Sequence, residues 1–82
     1  MNIILKQTVF MVNSITTAFA GRDLLQEKAI KSRVERTPRH INPGFCGYTI
    51  FLAEPADGKR AKPILKDGGI QFKTAEYEGG AA

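Results

Sequence analysis

Lys62-Pro63-Ile64-Leu65-Lys66-Asp67-Gly68-Gly69-Ile70-Gln71-Phe72-Lys73 is the stretch on which any reading of the fold turns. Asp67-Gly68 stands between two short β-prone runs, and an Asp-Gly pair tolerates the positive φ angles of a type I′ turn. The pattern predicts a hairpin in which Leu65 faces Ile70, Pro63 faces Phe72 and Lys62 faces Lys73. Alternation then gathers Ala61, Pro63, Leu65, Ile70, Phe72 and Thr74 on a core face. Lys62, Ile64, Lys66, Gln71 and Lys73 share the other face, which is basic. Lysines directly opposed in a sheet are mildly unfavourable unless an anion lies close, although lysines on outer strands also discourage edge-to-edge pairing. Pro63 has no ladder donor, so its strand reads as an edge and Ile70–Thr74 as lying further in.

Upstream, Asn2–Val12 reads as a strand with apolar residues on both faces, the pattern of an interior strand. Residues 13–21 admit two readings. β-Branched Ile15-Thr16-Thr17 favours a hairpin turning at Asn13-Ser14; Ser14 could equally cap a helix, which Gly21 would weaken. Asp23 with Gln26 resembles a capping box, and Leu24–Arg36 follows as a helix with Leu25/Ala29 and Ile30/Val34 as its apolar rows. Thr37-Pro38 stops it. A loop at His40–Gly44, a strand at Gly47–Ala53 and a turn at Glu54–Gly58 come next. The expected fold class is α+β: a mostly antiparallel sheet of four or five strands with one helix packed on one face. It would occupy residues 1–75, with residues 76–82 as a flexible polar Gly-Ala tail.

The 82 residues suit a single domain, and the net charge of +4 leans toward acidic partners. Cys46 is the only cysteine, which excludes an internal disulfide and fits a reducing, cytoplasmic compartment or a buried thiol. No apolar run is long enough to cross a membrane. Residues 1–20 carry the outline of a secretory signal, with Ala18-Phe19-Ala20 before Gly21, so export is an alternative; Asn13, Ser14, Thr16 and Thr17 interrupt its apolar region.

Enzymatic constellations are scarce. His40 and Cys46 would need a third, orienting group to act as a dyad, and two such residues cannot form a four-ligand zinc site. No P-loop or dinucleotide fingerprint is present. No catalytic residue, metal or cofactor is therefore expected; an enzyme working through Cys46 is the remote alternative. The cations fall into two clusters, Lys31, Arg33, Arg36 and Arg39 at the helix end and Lys59, Arg60, Lys62, Lys66 and Lys73 around the hairpin. Cations complement a helix C-terminus without any ligand, yet both clusters suit an anion. The expectation is a small non-enzymatic binding protein whose partner is nucleic acid, held by phosphate contacts, or a protein that handles nucleic acid. The alternative is a phage- or mobile-element-type inhibitor or adaptor docking on one host protein by a sheet edge or helix face.

Val9-Phe10-Met11-Val12-Asn13 resembles the short first motif of the RNA-recognition motif, and Gly44–Phe51 resembles its second with one residue inserted. The resemblance implies that Phe10, Phe45, Tyr48 and Phe51 stack bases on an open sheet. The sequence departs from the pattern at Pro43, where Lys or Arg is expected. No strand is evident between the helix and the second motif, and Gly58 and Pro63 interrupt the place of a second helix. The family is not assigned on this basis.

Overall fold

The computed structural model describes residues 4–39, 41 and 47–80. Its strands are β1 (Ile4–Val12), β2 (Ser32–Arg36), β3 (Tyr48–Leu52) and β4 (Lys73–Gly80), and its α-helices are α1 (Ile15–Glu27) and α2 (Gly58–Asp67). The sheet is four-stranded among the described residues, in the order β2-β3-β1-β4, and every neighbouring pair is antiparallel. Helix α1 carries the chain from β1 to β2, and α2 carries it from β3 to β4. Each connection therefore joins two parallel strands with one strand between them, which is the split βαβ, ferredoxin-like arrangement. The α+β class holds, with two helices where one was expected.

Ser14 settles the ambiguity at residues 13–21 in favour of the helix. It lies in extended conformation and its hydroxyl accepts from the Thr17 amide at 3.1 Å, satisfying a donor left over by the first turn. Ala18, Gly21 and Leu25 form the buried row. Gly21 permits close approach here: a Cβ would lie 2.8 Å from Ile50 Cδ1 and 3.1 Å from Leu65 Cδ2. The helix expected over Leu24–Arg36 is corrected at both ends. It starts at Ile15, nine residues before Leu24, and stops at Glu27. Lys28, Ala29 and Ile30 close that end, with Ile30 N–H donating to Leu25 O at 2.9 Å and Ala29 N–H to Gln26 O at 3.0 Å. This is a Schellman stop, and Ala29 takes its left-handed position at φ 61°. Ser32–Arg36 is consequently strand β2, with half-buried Val34 packed on the core.

The hairpin expected over Lys62–Lys73 is replaced by a helix end. Leu65, Lys66, Gly69 and Ile70 repeat the α1 stop, with Ile70 N–H donating to Leu65 O at 3.0 Å and Gly69 N–H to Lys66 O at 3.1 Å. Gly69 stands at φ 78°. Asp67-Gly68 thus ends α2, and Ala61 and Leu65 face the core on a helical spacing. Pro63, expected to mark an edge strand, lies inside α2 on its exposed side, where the Lys59 carbonyl it leaves unpaired can meet water. Ile70–Thr74 is not an interior segment: β4 begins at Lys73 and is an outer strand. It continues past residue 75, where the sequence reading ended the domain, to Gly80, which pairs with Ile4.

β1 is interior, as its two apolar faces require. Phe10, Val12, Ile50 and Leu52 pack with Ala18, Leu25, Ala61 and Leu65 from the helices, so both helices cover one face. The other face is closed too: Val9, Met11, Thr49 and Phe51 are all at most 5% exposed. No helix among the described residues is long and apolar enough to cross a membrane.

Candidate functional site

Strands β2 and β3 are joined by the chain that holds the single thiol. The register pairs Arg36 with Tyr48, and Thr37 N–H donates to Gly47 O at 3.0 Å, so the two strands stay hydrogen-bonded just past β2. Below this closure the Thr37 and Thr49 hydroxyls meet at 2.8 Å. Gly47 is buried, whereas Arg36 and Arg39 are exposed. Cys46 immediately precedes Gly47 in sequence; it and His40 lie outside the described residues, as do Pro43 and Phe45.

The residues expected at a helix end are instead spread along the β2 side of the sheet. Arg33, Arg36 and Arg39 lie on or just after that outer strand, so they complement no helix dipole. Arg33 is also engaged, with its guanidinium 4.4 Å from the Phe51 ring centre and paired with Glu35. Lys31 stands apart, before β2, in a cleft of about 430 Å³ lined by Arg22, Gln26, Ala29, Ile30, Lys31 and Ser32.

The second cluster is largely brought together, by a helix instead of a hairpin. Lys62 and Lys66 line a groove of about 720 Å³ between α2 and β4, together with Ile70, Phe72 and Lys73. Lys59 and Lys62 line a neighbouring hollow of about 300 Å³ with Thr8, Thr74 and Glu76. Lys59, Lys62, Lys66 and Lys73 have no ion-pair partner among the described residues. Arg60 does not join them. Its guanidinium reaches Asp57 and the Lys28 carbonyl, each at 3.2 Å, and so ties the start of α2 to the end of α1. The two cationic clusters therefore flank opposite outer strands and do not form one patch.

Base stacking, implied by the RNA-recognition-motif resemblance, is not available to the described aromatics. The strand and helix that the resemblance lacked are present as β2 and α2. Phe10, however, is fully buried on the helix-covered face with Phe72 edge-on at 5.2 Å, Tyr48 packs on the same core, and Phe51 is 2% exposed. Among the described residues no group of three or more His, Cys, Asp or Glu could hold a metal ion. Sequence reading missed the cleft residues Arg22, Gln26 and Ser32, because they converge only once the helix stops at Glu27 and Ser32 enters the sheet.

No curated protein and no solved structure matches the chain. A family model does, over residues 7–75, and its description is "Putative Se/S carrier protein-like". The match runs from within β1 into β4 and takes in both helices and the only cysteine, so the chain belongs to this family.

Proposed function

We propose that the protein carries a sulfur or selenium atom on Cys46 and hands it from a donor to an acceptor. The observation that carries this reading is that the segment matched by the carrier family contains a single thiol. A carrier must hold the atom by a covalent bond that a second nucleophile can break, and among the side chains here only a thiol does so. The Cys46 thiolate attacks the terminal sulfur or selenium of a donor persulfide or its selenium analogue. A bond forms from Cys46 Sγ to that atom, the donor's own bond to it breaks, and the donor leaves as a thiolate. Attack by an acceptor on the carried atom reverses the sequence and returns Cys46 as thiolate. No second cysteine in the chain can discharge the load internally, which suits transfer between molecules.

Loading the reduced protein with inorganic polysulfide tests this. Intact mass should rise by one sulfur atom, cyanide should remove it as thiocyanate, and Cys46→Ser should do neither while keeping its circular dichroism spectrum. Equal loading of Cys46→Ser, or no loading of a wild-type protein whose thiol still alkylates, would end the proposal.

A second reading rests on the groove between α2 and β4. Lys62, Lys66 and Lys73 in the groove and Lys59 in the hollow beside it have no ion-pair partner among the described residues, which supports an acidic partner, whether nucleic acid or protein. Binding to a generic single-stranded oligonucleotide should then weaken steeply with salt and fall by roughly tenfold or more in a Lys62→Glu/Lys66→Glu variant. An unchanged affinity in that variant, or binding insensitive to salt, removes the groove from consideration.

A further inference from the structure

The geometry points to a small-anion site in the cleft between the end of α1 and the start of β2, lined by other residues than the lysine groove. Its ligand would be a small molecule bearing a phosphate- or sulfate-type group. Four side chains that line it, Arg22, Gln26, Lys31 and Ser32, can all donate hydrogen bonds, and no carboxylate lines it among the described residues. The Ser32 hydroxyl oxygen is buried and has no hydrogen-bond partner among the described residues. A buried polar atom left unsatisfied is costly, so an orphaned hydroxyl in a cationic cleft is an unfilled half of an interaction.

Arg22 is set for the task. Its guanidinium carbon lies over the Phe19 ring, 4.5 Å from the centre, and its approach to exposed Asp23 is a loose 3.7 Å. A pair of that kind at the surface competes weakly with a ligand. The planar fork of Arg22 suits two oxygens of a phosphate-type group. Lys31 adds a second positive charge and has no ion-pair partner among the described residues. The carbonyls at the end of α1, which would repel an anion, are partly occupied: Leu25 O and Gln26 O accept from Lys28, Ala29 and Ile30. Ala29 lines the same cleft in a left-handed conformation that alanine rarely adopts, the kind of local strain that recurs at ligand sites. At about 430 Å³ the cleft exceeds what a bare phosphate fills and lies within the range of small-ligand pockets, with Ile30 and Ala29 as its apolar wall.

Thermal unfolding of the full chain in inorganic phosphate, sulfate, acetate and chloride at matched ionic strength provides the test, with titration calorimetry for affinity. Phosphate or sulfate should raise Tm above the chloride value. Arg22→Gln and Lys31→Gln should each remove that increment, with affinity falling by about tenfold or more. Ser32→Ala should weaken binding several-fold while leaving Tm in chloride unchanged, since its hydroxyl has no protein partner to lose. A drop in Tm of Ser32→Ala in chloride would show the hydroxyl to be structural and would overturn the site. So would a phosphate increment that survives Arg22→Gln, an increment produced by acetate alone, or no increment with any anion.

Discussion

The two helices end in the same way, yet their sequences announce that end differently. Leu25-Gln26-Glu27-Lys28-Ala29-Ile30 closes α1 and Leu65-Lys66-Asp67-Gly68-Gly69-Ile70 closes α2, with the same pair of backbone bonds returning to Leu25 and Leu65. Each stop returns its isoleucine to the core cluster that holds its leucine, Ile30 fully and Ile70 in part. The left-handed position is Ala29 in one and Gly69 in the other. Glycine announces a chain reversal and alanine conceals one. In α2 the Asp-Gly-Gly signal is plain but equally compatible with a hairpin; in α1 no residue marks the stop, and the helical pattern runs on to Arg36. What terminates a helix here is the leucine–isoleucine clasp and its backbone bonds, and the residue between them only sets the cost.

If the clasp is the determinant, removing its leucines should have the largest effect. Leu25 and Leu65 are both fully buried in one core. Leu25→Ala and Leu65→Ala should each destabilise by about 2–5 kcal/mol, as for other buried leucines. Urea denaturation followed by circular dichroism would measure both. Similar losses would mark the two halves as equivalent supports; a loss under about 1 kcal/mol at one of them would mean that its site collapses and that the clasp does not hold that helix.

The opposite ends of the same helices differ in chemistry. Ser14 caps α1 through its hydroxyl, whereas Asp57 precedes α2 without a side-chain cap bond and is held by Arg60 instead. Ser14→Ala should cost about 1 kcal/mol. Asp57→Ala should cost less than about 0.5 kcal/mol, because its ion pair is at the surface. Chemical denaturation of the pair reads the difference, and equal costs would show that the Asp57–Arg60 contact substitutes fully for a cap.

This contrast also explains how much of the molecule was readable. Strands β1 and β3 are legible because most of their apolar residues are β-branched or aromatic and run on both faces, a local signal. The α+β class followed from them. Ser14 was seen as a possible cap but lost to the β-branched run after it, since the packing of Gly21 under Ile50 that rewards the helix is long-range. Pro63 argued against a helix on propensity, and tertiary burial of Ala61 and Leu65 overrode it. The lysines at 62, 66 and 73 were placed together for a reason that did not hold, alternation on a hairpin, and they meet because 62 and 66 are one helical turn apart beside β4. The carrier reading was not legible at all: one cysteine beside a Pro-Gly loop has no spacing to interpret, and only the family match singles it out.

The cleanest comparison is an exchange of the two residues that distinguish the helix ends. Among the described residues a Cβ on Gly69 would meet nothing within 4 Å beyond its chain neighbours, so Gly69→Ala tests the backbone preference at φ 78°. It should destabilise by about 1 kcal/mol, the cost of forcing an L-residue into the left-handed region less the entropy glycine loses on folding. Ala29→Gly at φ 61° should run the other way, stabilising by about 0.5 kcal/mol as the strain is relieved. Opposite signs would establish that both stops sit in the same backbone well and that alanine is tolerated in α1 only because the leucine–isoleucine clasp holds it there. If Ala29→Gly proves destabilising, position 29 is not strained in solution. The likeness between the two helix ends would then stop at their hydrogen bonds.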